Sequence, residues 1–390
     1  MERFRNSFPF RHANAVEFFT GGPEYFQHLR AAIENAQVEV LVQLYILESD
    51  ATGIQMMNAL INAAKRGVQV FLLLDAYGSK DLSEFWIRNL ENAGIKLSWY
   101  APLSQLVEFK MGLRLHHKLM VVDRTWASCS GINWSDHYQG NARQLPWLDF
   151  ALIYQGQAVL DTVRVLRRYY PWNKKPPKNL LPVNPIGQGS PDFRVLENNW
   201  FRSKLAISFY YRRSIARATQ ELTIVASYFI PGAGLKRKLK QAAERGVEIK
   251  LLLGARSDIG LMKRAVRHFY PDLLKAGVRL FEYKPAVLHG KLVIVDHTEL
   301  CVGSYNLNYL SDFGSVECNV VCRDKKVVEE ADALVQSILK NEAVEIKLDE
   351  FLKTSSLFDR VLDRIAYGLL SWSLSILFYL QYPHSAKDSR

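Results

Sequence analysis

Two stretches of the chain carry the same chemically capable residues at the same spacing. The first runs His116, Lys118, Asp123 and then Ser130-Gly131-Ile132-Asn133; the second runs His289, Lys291, Asp296 and then Gly303-Ser304-Tyr305-Asn306. Both obey H-x-K-x4-D-x6-[GS]-[GS]-x-N. The residues between lysine and aspartate, 119–122 and 292–295, are aliphatic and of strand composition. On a strand, a His and a Lys two positions apart share a face. An imidazole beside an ammonium, supplied twice, suits a tetrahedral phosphate: one histidine can attack phosphorus while the other, protonated, serves the leaving oxygen. Small residues and the amides of Asn133 and Asn306 let donors approach an anion closely. His117 points to the opposite side of its strand and reads as structural.

The elements around these residues are duplicated too. ALINAAKRGVQVFLLL at 59–74 matches KLKQAAERGVEIKLLL at 238–253, and VLVQLYI at 40–46 matches TIVASYF at 223–229. Downstream, Ala93-Gly94-Ile95-Lys96-Leu97 matches Ala276-Gly277-Val278-Arg279-Leu280. The copies stand about 180 residues apart, too far for a solenoid repeat and right for two similar lobes. Apolar runs alternate with helical patterns that close on Gly67, Gly94, Gly246 and Gly277. This predicts α/β lobes with buried, largely parallel strands. Proline at 171, 176, 177, 182, 185 and 191 marks a linker, because proline continues neither a helix nor a central strand. The expected organisation is a first lobe over 1–168, a basic, proline-rich linker over 169–195, a second lobe over 196–345 and a C-terminal segment over 346–390.

The twice-occurring constellation resembles the HKD motif of the phospholipase D superfamily, and the resemblance covers residues 12–345. It implies two phospholipase D-like α/β sandwich lobes related by a pseudo-twofold, with the active site at their interface. It implies a phosphohistidine intermediate, with His116 as nucleophile and His289 as general acid/base; the near-symmetry of the motifs leaves the reverse assignment open. Lys118, Lys291, Asn133 and Asn306 would stabilise the phosphate without a metal or other cofactor. Asp149 and Glu317, each opening an apolar strand, would hydrogen-bond the catalytic imidazoles and fix their tautomers. For Asp123 and Asp296, direct chemistry and bracing of the structure are both open.

Within the superfamily, 14–26, 40–47, Tyr228-Phe229-Ile230-Pro231 and the run 303–308 look like a bacterial cardiolipin synthase, in the short form without an N-terminal transmembrane hairpin. That resemblance implies transfer of a phosphatidyl group from phosphatidylglycerol to a second phospholipid, forming cardiolipin and releasing glycerol; phosphatidylglycerol and phosphatidylethanolamine are both open as the second lipid substrate. The alternatives are a phospholipase D-type hydrolase and, with less support, a nucleic acid phosphodiesterase. Two departures stand out: Ser130 where glycine is usual, and Asn308-Tyr309-Leu310-Ser311-Asp312 where an acidic and then a basic residue are usual.

Composition narrows the setting. The 390 residues are 48% apolar and 23% charged, which excludes disordered and collagen-like classes. A net charge of +11 favours an anionic partner, here phospholipid and an anionic membrane surface, in the absence of a recognisable nucleic-acid-binding motif. Four scattered cysteines form neither a disulfide framework nor a zinc pattern. The charged N-terminus carries no secretory signal, so the expected place is peripheral, on the cytoplasmic side of a bacterial inner membrane. Residues 357–365 are amphipathic at helical spacing, and 365–382 are mostly apolar. For this C-terminus, lying in the membrane interface, packing on protein and spanning are all open. Residues 102–114 read either as a lipid-entry loop or as ordinary surface.

Overall fold

The computed structural model describes residues 8–102, 113–171, 192–202 and 204–381. Most of the 102–114 stretch and of the proline-rich linker therefore lies outside the described residues.

In the first lobe, β1 (Asn14–Thr20), β2 (Glu39–Leu44), β3 (Gln69–Asp75), β4 (Lys96–Tyr100), β6 (Lys118–Val122), β7 (Trp126–Ser130) and β8 (Phe150–Gln155) form one sheet, after a two-residue β5 (Arg114–Leu115). Its order is β1-β8-β7-β6-β2-β3-β4. Helices α1 (Pro23–Glu34), α2 (Ala51–Lys65), α3 (Glu84–Asn92), the short α4 (Asp136–Gln139) and α5 (Ala158–Arg167) complete the lobe. The second lobe repeats the plan with β9 (Phe193–Asn199), β10 (Lys204–Leu205), β11 (Glu221–Ala226), β12 (Glu248–Gly254), β13 (Arg279–Tyr283), β14 (Lys291–Val295), β15 (Glu299–Gly303), β16 (Ser315–Cys322) and β17 (Ala343–Ile346). Here the order is β10-β9-β16-β15-β14-β11-β12-β13-β17. Its helices are α6 (Ala206–Arg217), α7 (Ala233–Glu244), α8 (Gly260–Arg267), α9 (Tyr270–Lys275), α10 (Tyr309–Phe313), α11 (Lys325–Asn341), α12 (Leu348–Thr354) and α13 (Leu357–Gln381).

The sheets are mixed, which corrects the expectation of largely parallel strands. Within each duplicated unit only β2, β3 and β4, and their counterparts β11, β12 and β13, run parallel and the other neighbouring pairs are antiparallel; between the units, β5 pairs in parallel with β16. Crossover helices α2 and α7 produce the parallel half, as the repeat predicts. In the antiparallel half of each sheet, β6 with β7 and β14 with β15 are joined by tight hairpins. Asp123 and Arg124, between β6 and β7, have φ of 49° and 55°, and Asp296 and His297, between β14 and β15, have 50° and 55°. Two successive positive φ values mark the hairpin turn whose twist matches the strands. Aspartate tolerates them without the usual Asn-Gly signature, so the turn is inconspicuous in sequence.

Core residues cover both sheets. One large cluster passes from Leu119, Cys129 and Leu152 of the first sheet to Leu292, Val302 and Val320 of the second, so the lobes share a continuous apolar interior. All four cysteines are buried and unpaired. Among the described residues no helix is long and apolar enough to cross a membrane. The inner face of α13 packs on the second lobe: Asp363 and Ala366 are buried, Asp363 pairs with Arg264 and Arg267, and Tyr367 stacks on His268 at 4.9 Å. Its outer face, from Leu357 to Trp372, is exposed.

Candidate active site

Register carries each motif to the same sheet edge. Lys118 opens β6 opposite Leu44 at the end of β2, and Lys291 opens β14 opposite Ala226 at the end of β11. The histidines lie two residues earlier, where the chain leaves its own sheet and reaches the other lobe. His116 donates its backbone N–H to the Val316 carbonyl at 2.9 Å, and His289 donates to the Leu148 carbonyl at 2.8 Å. Each acceptor directly precedes a buried carboxylate, and each carboxylate takes the imidazole of the other lobe. Glu317 Oε2 lies 2.9 Å from His116 Nδ1, and Asp149 Oδ2 lies 2.6 Å from His289 Nδ1. With Nδ1 engaged in this way, Nε2 is left for a ligand.

Glycines permit these approaches. A Cβ on Gly131 would stand 2.2 Å from Asp149 Oδ1, and one on Gly290 would stand 2.4 Å from the Phe150 ring. The motif's small residues thus make room for a carboxylate and for the lobe interface, rather than for an anion directly. Ser130, the first departure from the usual motif, accepts a hydrogen bond from the Tyr25 hydroxyl at 3.2 Å.

The lysines converge beside the histidines. Lys118 Nζ donates to the His116 carbonyl at 2.9 Å and stands over the Tyr45 ring at 5.1 Å. Lys291 Nζ lies 2.7 Å from His289 Nδ1 and 3.3 Å from Nε2, and donates to the His289 carbonyl. Asn306 is buried, and its carbonyl oxygen accepts from the Ser227 hydroxyl at 2.8 Å, which leaves its amide N–H groups to donate. Asn133, expected as a phosphate donor, also makes structural bonds. Its Oδ1 accepts from the Ile46 backbone at 3.2 Å, and its Nδ2 donates to the Tyr138 hydroxyl at 2.8 Å, so it braces Tyr138.

Asp123 and Asp296 sit at the far ends of β6 and β14, on the hairpin turns, and not with the histidines. Asp123 accepts the backbone N–H groups of Gln37, Val38 and Glu39, each at 2.8 Å. Asp296 accepts those of Thr219, Gln220 and Glu221. Of the two readings open for them in sequence, these bonds fit bracing: they fasten the hairpins to the strand starts of β2 and β11, away from the histidines. His117 turns away, with Nδ1 2.9 Å from Gln43 Oε1 and its ring edge-on to Tyr169.

Burial sets the electrostatics. It pushes Lys118 down to about 7, with the Lys291 charge adding to the effect, and it pushes Lys291 down to about 8. It also lowers both His116 and His289, the latter well below the usual imidazole range, where Lys291, Lys118 and His116 add to the effect of burial. Asp149 is pushed up to about 6 by burial. Glu317 would be raised by burial too, but the attraction of His116 outweighs this and holds it below its ordinary value. Burial thus disfavours the charged forms of both lysines and both imidazoles, and an anion bound among them would favour those forms again.

Several site residues went unread in sequence. Tyr45 is edge-on to His116 with ring centres 4.9 Å apart, and Tyr228 is edge-on to His289 at 5.9 Å. The duplication held this signal, since the two tyrosines occupy equivalent positions in VLVQLYI and TIVASYF. Tyr138 and Trp147 wall the other side of His289, and Asp258 accepts the Tyr228 hydroxyl at 2.6 Å. These three have no counterpart in the repeat that would draw attention to them. Among the described residues, Glu221, His297 and Asp332 lie within mutual ligand distance of one another. They sit at the opposite end of β11, beside Asp296, and Lys250 already pairs with Glu221 at 2.7 Å.

Two lobes of one plan, each presenting a His-Lys pair to a shared interface, define a phospholipase D-like phosphodiester site. The profile of the family described as "Cardiolipin synthase, PLD-like domain" matches residues 29–144 and 211–339, and the chain belongs to this family. It is 29% identical over 348 residues to cardiolipin synthase B of Salmonella typhimurium, covering 86% of this chain and 83% of that one. It is 31% identical over 327 residues to cardiolipin synthase B of Escherichia coli K12, covering 81% and 78%. The crystal structure of a phosphatidylserine synthase from Haemophilus influenzae superposes with a TM-score of 0.71 at 13% identity, over 97% of this chain and 98% of that one, and shows the same fold.

Proposed function

We propose that the protein is a phosphatidyltransferase of the cardiolipin synthase type. It takes a phosphatidyl group from phosphatidylglycerol onto a histidine and passes it to the hydroxyl of a second phospholipid, forming cardiolipin and releasing glycerol. The observation that carries this reading is the crossed pairing of Glu317 with His116 and Asp149 with His289, beside two buried lysines. The attacking imidazole is oriented through Nδ1 by its carboxylate, and Nε2 forms the bond to phosphorus as the glycerol oxygen leaves. The second imidazole gives that oxygen a proton, then takes one from the incoming hydroxyl as the P–N bond breaks. Lys118, Lys291 and the Asn306 amide hold the phosphoryl oxygens.

His116 is the nucleophile in this reading. The near-symmetry of the two carboxylate–imidazole pairs makes the reverse assignment the alternative. Acid-quenched protein incubated with phosphatidylglycerol, digested and mapped for phosphohistidine, decides between them. The proposed setting is the inner face of a bacterial cell membrane, held peripherally through the outer stripe of α13.

The function is tested by lipid mass spectrometry on purified protein given phosphatidylglycerol, with and without phosphatidylethanolamine. Cardiolipin with free glycerol is the expected product. Dependence on phosphatidylethanolamine would identify the lipid pair, phosphatidic acid alone would establish the hydrolase, and no lipid product would overturn the reading.

A further inference from the structure

Outside α13, large apolar side chains that remain exposed are concentrated in four segments, and each segment adjoins a residue that touches the site. Tyr77 follows β3, whose last residue, Asp75, accepts the Leu115 backbone N–H at 2.7 Å, one residue before His116. Phe85, 65% exposed, opens the helix that follows. Leu145, 62% exposed, lies two residues before Trp147, whose ring centre is 6.0 Å from that of His289.

The second lobe mirrors this arrangement. Ile259 is next to Asp258, the acceptor of the Tyr228 hydroxyl. Leu310 belongs to the departing run 308–312, in which Asn308 Nδ2 donates to the Tyr228 carbonyl at 3.3 Å. Each lobe therefore contributes the segment after β3 or its counterpart β12 and the segment after the motif, and the contacts of Asp75, Trp147, Asp258 and Asn308 tie all four to the surroundings of the histidine pair, whose approach is the mouth of the site.

We propose that this mouth is itself a docking surface for an anionic bilayer, so that the histidine pair is held over the headgroups and lipid enters from the leaflet beneath. The inference rests on the lipid-substrate reading above. A bilayer fits better than a protein partner because a protein seated on a ring around the site would close it to substrate. Charge complementarity points the same way: Lys80 and Arg114 stand over the Tyr77 ring, and Lys263 lines a cleft with Ser257 and Gly260 beside Ile259, where Arg264 and Arg267, both paired with Asp363, add two further cations against that one buried carboxylate. Asp359 lines the same cleft, one residue after exposed Phe358, so the ring runs on into the outer stripe of α13. Exposed apolar residues among cations are the composition of a surface that binds the interface of an anionic membrane.

The test uses the full chain labelled with an environment-sensitive dye at Leu145→Cys, at Leu310→Cys and, as a control, at Val38→Cys, which lies beside the Asp123 bracket at the opposite sheet edge. The four native thiols are buried and stay unlabelled. Vesicles of phosphatidylcholine with phosphatidylglycerol should shift the emission of the first two labels to the blue and leave the control unchanged; phosphatidylcholine alone should do much less. No shift at 145 and 310 in protein that co-sediments with vesicles would overturn the proposal, as would a shift that appears with rising protein concentration alone. Independently, Phe85→Ser combined with Leu310→Ser should lower vesicle partitioning about tenfold, and unchanged partitioning by the folded variant would overturn it. These readouts need no turnover. A labelled mouth that meets the bilayer in protein that makes no cardiolipin would sink the functional reading and leave the docking surface standing.

Discussion

Asp149 and the imidazole it orients belong to different lobes: Asp149 directly precedes β8 of the first, His289 precedes β14 of the second, and 2.6 Å separates their atoms. Glu317 and His116 repeat the exchange at 2.9 Å. Neither lobe alone orients its motif histidine, so the chemistry proposed for the pair needs the interface.

Asp149→Asn should therefore act on turnover more than on binding. The amide keeps the volume but can offer its NH2 to Nδ1, which favours the wrong tautomer. A fall in kcat on the order of a hundredfold to ten-thousandfold, with KM little changed, is expected for phosphatidylglycerol turnover. Glu317→Gln should lose stability as well. Glu317 also accepts from the hydroxyls of Ser304, Ser311 and Ser315, and disturbing that buried network costs about 1–3 kcal/mol. Parallel kinetics and urea unfolding separate the two variants.

Asp123→Ala should do the opposite. It removes the acceptor of three backbone N–H groups and places alanine at a φ of 49°. The cost is about 2–3 kcal/mol of stability, with kcat unchanged at temperatures where the variant remains folded. A large loss of kcat in folded protein would return Asp123 to the chemistry.

What was legible in sequence follows from range. His116, Lys118, His289 and Lys291 were readable because strand geometry fixes how residues two apart relate, and because the whole pattern occurs twice. The partnership of Asp149 with His289 spans 140 residues and two lobes, so the sequence offered two strand-opening carboxylates without saying which imidazole each would meet. The parallel half of each sheet was visible in its crossover helices. The antiparallel half was hidden by turns in which aspartate and arginine take the positive φ that glycine or asparagine usually announces. The bracing bonds of Asn133 went unread for the same reason as Tyr138 was missed, since each is explained only by the other.

Gly131→Ala tests how tightly the carboxylate is held. The new methyl group would stand 2.2 Å from Asp149 Oδ1 and 2.6 Å from Oδ2, so Asp149 must move. A loss of about 1–3 kcal/mol is expected from the overpacking. Activity should fall further than that loss implies, because displacing Asp149 releases His289. Thermal denaturation and turnover of the same preparation measure both effects.

The buried lysines make anion binding depend on pH with a definite sign. Burial, reinforced for Lys118 by Lys291, holds the two near about 7 and about 8, whereas in the unfolded chain both stay protonated to about pH 10. Between pH 7 and pH 10 the unfolded state therefore binds more protons, and these groups make the anion-free protein more stable as pH rises. A bound anion reverses the balance by drawing protons onto both lysines. Sulfate keeps a constant charge over this range, so its thermal stabilisation should be large at pH 6 and should shrink through pH 7–8 to little at pH 9. Lys118→Met should weaken that stabilisation at pH 6 and flatten its pH dependence. A sulfate effect that is constant from pH 6 to pH 9 would mean that the lysines remain charged in the empty site, and that the incoming phosphodiester finds its cations already in place.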